Sequence, residues 1–328
     1  MIGTELHTQV EALETHAPAV HRLVDPARVA RQAGREAGRA RPADAFGAAS
    51  GGGRGESYIA AQRALHTRRH GITQLLDLLT ADHPAPSPVV LDLLGGDGLV
   101  AKVVAEWDEP RPTIVTCDAS PFMVEAAWAD GVPALRQRAE EMLFRDASVD
   151  GVLLAYGSHH LSREQRGAAA REAFRVLGAG GAFVLHDFLT GSPMDTWFAK
   201  VVDAYSRTGH DHEHFDRAET EGYLRDAGFA DVRLTLLDDP FVATGASRRE
   251  AELALGAYLV NMYGLVELVA EHGERTAHAR AFELAADIFR YERPDGGTWE
   301  IRTVPDEERG TWTTTMPREA LVAVGRRP

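Results

Sequence analysis

The sequence predicts an α/β protein, an open and mainly parallel sheet with helices on both faces. Three observations predict it. Short apolar runs alternate with helical patterns from residue 89 onward, which is the order that builds parallel sheets. The apolar run Val89 to Leu94 passes straight into a glycine turn, Gly95-Gly96-Asp97-Gly98, and then into a helical pattern. Asp118 falls at the end of the next strand, 20 residues after Gly98.

The elements follow in order. Residues 1–55 read as a helical N-terminal segment closed by the glycine cluster Ser50 to Gly55. Glycine loses the most backbone entropy on ordering, so the cluster is expected to be a mobile connection or hinge. One helix is expected from Glu56 to Thr80, with Ile59, Leu65, Ile72, Leu75, Leu76 and Leu79 as its apolar stripe. Pro84, Pro86 and Pro88 end it. Val89 to Leu94 is a strand buried on both faces, Gly98 to Trp107 a helix, and Thr113 to Cys117 the second strand. Ser120 caps a helix whose first residue is Pro121, and Gly131 stops it. Val132 to Arg136 and Gly151 to Ala155 are the third and fourth strands. Ser162 and Gln165 have capping-box spacing and open a helix that runs to near Gly178. Ala182 to His186 is the fifth strand, Asp216 to Gly228 a helix, Asp231 to Leu237 the sixth strand and Ala320 to Val324 the last. Residues 56–240 and 319–328 therefore form the core. Residues 241–318 read as a helical insertion, with helices from Glu250 to His272 and from Arg275 to Tyr291. Their apolar faces need partners. Packing as a cap over a substrate and pairing as a homodimer interface both remain open.

Composition narrows the function. A chain of 328 residues that is 44% hydrophobic and 26% charged is neither disordered nor fibrous. A net charge of -14 and a pI of about 5.5 speak against nucleic acid as a partner. The single cysteine, Cys117, allows no intramolecular disulfide and fits a reducing compartment. The acidic stretch Met1 to Ala17 lacks the pattern of a signal peptide. The apolar stretch Leu253 to Val269 is shorter than a membrane span. A cytoplasmic protein with a small-molecule substrate and no membrane partner is expected. Arginine supplies nearly all the basic residues, since only Lys102 and Lys200 are lysines, so a lone arginine carries little weight as an anion-site signal.

The glycine turn is the strongest motif. Glycine lets backbone approach a ligand closely, and a helix start adds unpaired N–H groups. An acidic side chain at the end of the second strand can accept hydrogen bonds from both hydroxyls of a ribose. Gly96-x-Gly98-x-x-Ala101 also matches the dinucleotide pattern, which is weak alone. No tyrosine stands four residues before either lysine, so a common dehydrogenase centre is missing.

Residues 56–237 and the last strand resemble the class I S-adenosylmethionine-dependent methyltransferases. Asp92-x-x-Gly95-Gly96-Asp97-Gly98 looks like their first motif, which implies a cradle for the methionine part of the cofactor. Asp118 matches their ribose-binding acid, with Ala119 beside it and Phe122 and Met123 where apolar residues line the adenine. Ala139-Glu140-Glu141-Met142-Leu143-Phe144 is similar to their segment beside the adenine. Asp150 to His160, with Tyr156 in it, resembles the fourth-strand motif beneath the methyl group, and Phe174 to Phe183 resembles the turn into strand five. Leu94 and Arg138 depart from the pattern, standing where many members have a glycine and an aspartate. The resemblance implies a Rossmann-like, seven-stranded class I methyltransferase sheet.

Open α/β sheets bind ligands beyond the carboxyl ends of their strands, where His159, His160, His186 and Asp187 lie. His160, His186 and Asp187 are the candidate catalytic groups. His210-Asp211-His212-Glu213-His214 follows. In extended backbone alternate residues share a face, so His210, His212 and His214 would point one way as ligands for zinc, iron, cobalt or nickel. A divalent ion chelated by a 2-oxo acid would acidify the C–H next to the ketone, and a histidine would remove the proton. The whole chain looks similar to 2-oxo-acid C-methyltransferases that supply β-methyl amino acids for peptide natural products, including antibiotics. A metal-independent O- or N-methyltransferase, a methyltransferase-like cyclase or binding protein, and a dinucleotide oxidoreductase are the competing readings.

Overall fold

A computed structural model of the chain describes residues 5–36, 44–80, 83–207, 209, 214–292 and 296–328. Strands β1 (Val89–Leu93), β2 (Thr113–Asp118), β3 (Ala134–Arg136), β4 (Val149–Leu154), β5 (Leu177–Asp187) and β6 (Ala230–Asp238) appear in the expected order. Together with β12 (Glu319–Arg326) they make a seven-stranded sheet in the order β3-β2-β1-β4-β5-β12-β6. β1 to β5 pair in parallel, and β12 runs antiparallel between β5 and β6. The chain order reverses direction at β1 and β4, so a crevice opens beyond their carboxyl ends. Val90, Leu91, Leu93 and Val152 to Leu154 are shut away from solvent, each contributing roughly 1.5–3 kcal/mol by burial.

Helices α1 (Leu6–His16), α2 (Pro18–His21) and α3 (Pro26–Glu36) cover the β3 edge. The buried Gln9 amide oxygen accepts from the Arg136 N–H at 2.9 Å, and the Gln32 amide donates to the Arg136 carbonyl at 3.1 Å. Two side-chain amides thus occupy a strand edge that would otherwise offer unpaired backbone. The Ser50 to Gly55 cluster, expected to be mobile, is a hydrogen-bonded turn: the Gly53 N–H donates to Ala48 and the Gly55 N–H to Gly47. Its glycines serve close packing, since a Cβ on Gly53 would lie 2.2 Å from the Gly47 oxygen.

The single helix expected over 56–80 is two, α4 (Gly55–Gln62) and α5 (Arg69–Thr80), with a 3-10 turn at Leu65–Thr67 between them. α4 packs on the insertion and α5 on the sheet, and the break turns Arg68 inward, where it is 5% exposed. Caps act as the sequence implies. Gly98 is the N-cap of α6 (Leu99–Val104) at φ 87°. Ser120 caps α7 (Pro121–Ala129), the Ser162–Gln165 capping box closes on α8 (Arg163–Val176), and Asp216 caps α11 (Arg217–Ala227). Between α8 and α11, α9 (Pro193–Trp197) and α10 (Asp203–Tyr205) flank a π turn at Phe198–Val202.

The insertion is not only helical. Helices α12 (Arg248–Tyr263), α13 (Val266–His272) and α14 (Glu274–Ile288) are present, with Gly264 ending α12 in the left-handed region where one unbroken helix was expected. Strands β7 (Phe241–Gly245), β10 (Arg302–Asp306) and β11 (Thr311–Met316) form a second, antiparallel sheet, and β8 (Tyr291–Glu292) pairs with β9 (Thr298–Trp299). β10–β11 and β8–β9 are local hairpins, whereas β7 reaches β11 only beyond the three helices of the insertion, a pairing that no local pattern reports. No helix among the described residues is long and apolar enough to cross a membrane.

Candidate active site

A cavity of about 1520 Å³ opens beyond β1, β2 and β4. Its cofactor end begins at the glycine turn. Gly96 and Gly98 take φ values of 57° and 87°, a region that side chains other than glycine's enter with strain. A Cβ on Gly98 would also lie 2.7 Å from Val132 Cγ1. Lys102 Nζ ties the turn down, 2.7 Å from both Asp97 and Asp130 carboxylates. Asp118 lies on the cavity wall, oriented by N–H donors from Gly96 (2.9 Å) and Ser120 (2.8 Å). Burial raises its carboxyl to about 6. Ala119, Ala139, Glu140 and Tyr156 line the same cavity. Glu140 accepts from Arg138 and Gln165. Asp44 crosses from the N-terminal segment to accept from the Ser120 hydroxyl at 2.7 Å, so this segment closes over the ribose position.

Asp92, Gly95, Gly98 and Phe122 lie outside the lining. Phe122 packs against Gly55, where an added Cβ would meet its ring at 2.5 Å. Asp92 sits beneath the turn, 3% exposed, with Oδ2 lacking a hydrogen-bond partner. A bare glycine backbone, an aimed carboxylate and this unpartnered buried carboxyl fit a nucleoside cofactor with a cationic amino-acid tail, as S-adenosylmethionine has. Asp118 would hold the ribose, and a cationic tail over the turn would favour the ionised form of Asp92.

Desolvation, then the neighbouring Asp118 charge, raise the Asp92 carboxyl to about 8. The unfolded value is about 3.9, so the folded state holds an extra proton between those limits. Stability should therefore be full below pH ~4 and fall as pH rises toward 8. Asp92→Asn removes that loss. Thermal melts of ligand-free protein should show the variant above wild type at pH 8 and level with it at pH 4; no gain at pH 8 refutes the account.

The ends of β4 and β5 bring two histidines and a carboxylate together. Asp187 is fully buried at the end of β5. Its carboxylate accepts from the Ser158 hydroxyl (2.5 Å) and the N–H groups of His159 (2.7 Å) and Phe188 (2.8 Å). It also meets His159 Nδ1 at 2.9 Å. Burial opposes its charge, but His159 and the hydrogen bonds outweigh burial and hold the carboxyl well below the usual range. The ionised carboxylate fixes Nδ1 of His159 as the donor and Nε2 as the basic nitrogen. His159 and His160 both line the cavity, their ring centroids 4.3 Å apart. His186 lies instead beneath Tyr156, wholly buried, with Nδ1 accepting the Tyr156 N–H at 3.4 Å and Nε2 3.5 Å from Asp239. Tyr156 takes a φ of 63°, which this support sustains.

His210 and His212 lie outside the described residues. His214 is buried, with its ring 5.1 Å from that of Phe198 and 5.9 Å from that of His159. Its Nε2 is 3.7 Å from Asp195. Among the described residues no group of three or more His, Cys, Asp or Glu is placed to hold a metal ion.

The far end of the cavity holds a feature the sequence reading missed. Arg318, 1% exposed, forms an ion pair with the wholly buried Asp239 and donates from Nε to its carbonyl at 2.9 Å. Burial raises the Asp239 carboxyl, but Arg318, His186 and Arg68 outweigh it and hold the group below its ordinary value. Asp239 fits only because residue 71 on α5 is glycine; a Cβ there would sit 1.8 Å from its Oδ1. Arg68 donates from Nε to the Tyr258 hydroxyl at 2.9 Å and stacks 4.5 Å from the Tyr156 ring centroid. In an arginine-rich sequence neither arginine stood out.

With this geometry established, residues 91–185 match the family model described as Methyltransferase domain. The ubiquinone/menaquinone biosynthesis C-methyltransferase of Hahella chejuensis is 28% identical over 125 residues, covering 36% of this chain and 49% of that protein. Its namesake from Rubrivivax gelatinosus is 29% identical over 170 residues, covering 46% and 66%. The chain thus spans between half and two thirds of the length of these two relatives. Among solved structures, the YcgJ protein of Bacillus subtilis superposes with a TM-score of 0.48 at 18% identity, over 78% of this chain and 99% of that one. Residues 91–185 are a methyltransferase domain, set in a Rossmann-like sheet of the class I type.

Proposed function

We propose that the protein transfers the methyl group of S-adenosylmethionine to a carbon atom of a small molecule, with His159 as the base. The observation that carries this reading is the His159–Asp187 pair at the ends of β4 and β5, on the same cavity as the glycine turn and Asp118. The bound cofactor supplies an electrophilic methyl on a sulfonium. A base beside it needs a fixed tautomer and an orienting partner, and Asp187 supplies both. The relatives named as C-methyltransferases favour carbon as the acceptor.

A 2-oxo acid is the acceptor class proposed. The C–H next to its ketone is the most acidic carbon-bound proton in such a molecule, and it is the one a histidine base would remove. His159 Nε2 would take that proton, the electron pair left on carbon would form the new C–C bond to the methyl that the bound cofactor supplies, and the S–C bonding pair would leave with the cofactor as its neutral thioether. Phe198, Val202 and Tyr263 line the cavity, and a substrate packed against this apolar wall would be shielded from reprotonation at that carbon. His210, His212 and His214 are the residues that would hold a divalent ion, which would supply Lewis-acid polarisation of the ketone.

The test is methyl transfer from labelled cofactor to a panel of 2-oxo acids, phenols and amines, with the methylated position located by NMR and each reaction repeated with chelator. A new methyl on the carbon beside the ketone is the expected result. Methyl on oxygen or nitrogen overturns the acceptor assignment. Cofactor binding with no transfer to any acceptor overturns methyl transfer itself and favours a cyclase or binding role. Loss of activity on chelation, restored by zinc or iron(II), assigns a role to the metal.

A further inference from the structure

Two guanidinium groups and one carboxylate are buried together at the far end of the cavity. Arg68 and Arg318 both line it, and their guanidinium carbons lie 5.6 and 3.5 Å from the centroid of the Phe241 ring between them. Asp239 is the carboxylate, and Arg318 takes it. Arg68 meets only uncharged partners: the Tyr258 hydroxyl, the Met262 sulfur at 3.3 Å and the faces of Tyr156 and Phe241. No carboxylate among the described residues pairs with it. Arg318 in turn keeps Nη1 buried without a hydrogen-bond partner. Arg54, on the same wall, donates to the Met262 carbonyl and adds a third positive group.

Buried charges are ordinarily paired, because an unpaired one loses its hydration without return. Aromatic faces recover only about 0.5–2 kcal/mol. The pocket is therefore built with an uncompensated positive charge beside Tyr156, just beyond the end of β4.

We propose that Arg68 and Arg318 form a subsite for the carboxylate of the acceptor substrate, which makes a small monoanionic carboxylic acid the substrate class. The planar forks of two guanidiniums match a carboxylate's two oxygens. One carboxylate balances the charge that Asp239 leaves over on the Arg68–Arg318 pair, and its arrival gives Arg318 Nη1 an acceptor. The carboxylate then anchors one end of the molecule at Arg68, and the rest extends along the wall of Tyr156, Gly157 and His159. The identity of the anion as the acceptor rests on the methyl-transfer reading; the existence of the subsite does not.

The test is equilibrium binding, which needs no turnover. Full-length protein saturated with S-adenosylhomocysteine is titrated with phenylpyruvate, 4-methyl-2-oxopentanoate, phenyllactate and phenylacetate, and with the methyl ester of each. The expected result is a preference of about tenfold or more for at least one acid over its ester, the size of a charge-assisted hydrogen bond. The preference should be lost in Arg68→Gln and partly retained in Arg68→Lys, which keeps the charge and loses the fork. Circular dichroism and cofactor binding report whether each variant is folded, and Arg68→Lys carries the test if Arg68→Gln is not. No preference for any acid over its ester in wild type, or a full preference surviving in a folded Arg68 variant, overturns the subsite. Acid preference without methyl transfer leaves the subsite standing and overturns the function; methyl transfer to an uncharged acceptor with no acid preference does the reverse.

Discussion

Asp239→Ala should destabilise the protein by about 3–5 kcal/mol, the usual consequence of removing one partner from a buried ion pair. The loss has three sources. Arg318, 1% exposed, keeps a charge with no counter-charge. The weak attraction of Asp239 for Arg68 and His186 goes as well. A void opens against α5, where Gly71 leaves room for the carboxylate. Thermal or denaturant unfolding measures the effect. The double variant Asp239→Ala with Arg318→Met should recover part of the loss, because an apolar replacement of a whole buried pair is often tolerated. A single variant within about 1 kcal/mol of wild type contradicts the account, since surface-like tolerance is foreign to a paired buried charge.

His159→Asn should lower kcat by a factor of roughly 10² to 10⁴, the range for loss of a positioned general base, while cofactor affinity stays as in wild type. A second readout separates chemistry from binding. In D2O, wild-type protein should wash deuterium into the carbon beside the ketone of a bound 2-oxo acid, and His159→Asn should not. Asp187→Asn should lose activity too, and should also lower stability, because four hydrogen bonds converge on that carboxylate. Its stability contribution runs with a depressed carboxyl value. It is present above pH ~4, the unfolded range, and is lost as acid titrates the folded group. A His159→Asn enzyme that still exchanges deuterium at the wild-type rate would move the base elsewhere, with His160 the next residue on the wall.

The parts of this protein that were legible beforehand are those specified by neighbours in the chain. Ser120-Pro121, Ser162 with Gln165 and Asp216 each announce a helix start because the cap and the amide it binds are three residues apart. The glycine turn and Asp118 come to one cavity, as read from the sequence, because a strand, a turn and a spacing suffice to place them. The second sheet was missed for the opposite reason. β7 offers Phe241-Val-Ala-Thr-Gly245 and finds its partner β11 far along the chain, and β10, although it is β11's hairpin neighbour, contains Pro305 and faces solvent at several positions.

The same reason hid the buried arginines at the far end of the cavity. Arg68 becomes an inward residue only because the expected long helix breaks after α4, and Arg318 meets Asp239 across the whole insertion. His159 and His160 are adjacent in sequence, and only the parallel pairing of β4 with β5 singles out the one that reaches Asp187.

Asp239 and Arg318 stand immediately after β6 and immediately before β12, at the two feet of the insertion. Besides the ion pair, the Asp239 N–H donates to the Arg318 carbonyl at 2.9 Å and the Arg318 Nε donates back to the Asp239 carbonyl. The two feet are thus clasped across the sheet, whatever lies between them. Closing a longer loop adds little once its ends are joined, about 0.6 kcal/mol for each doubling of length. The roughly 80 residues in between can therefore vary in length at little cost to the sheet and the glycine turn, provided they still cover α4, Trp197 and Phe198, with which the insertion shares one core. The clasp makes the length of the insertion, and not its packed face, the part that a lineage or an engineer can change.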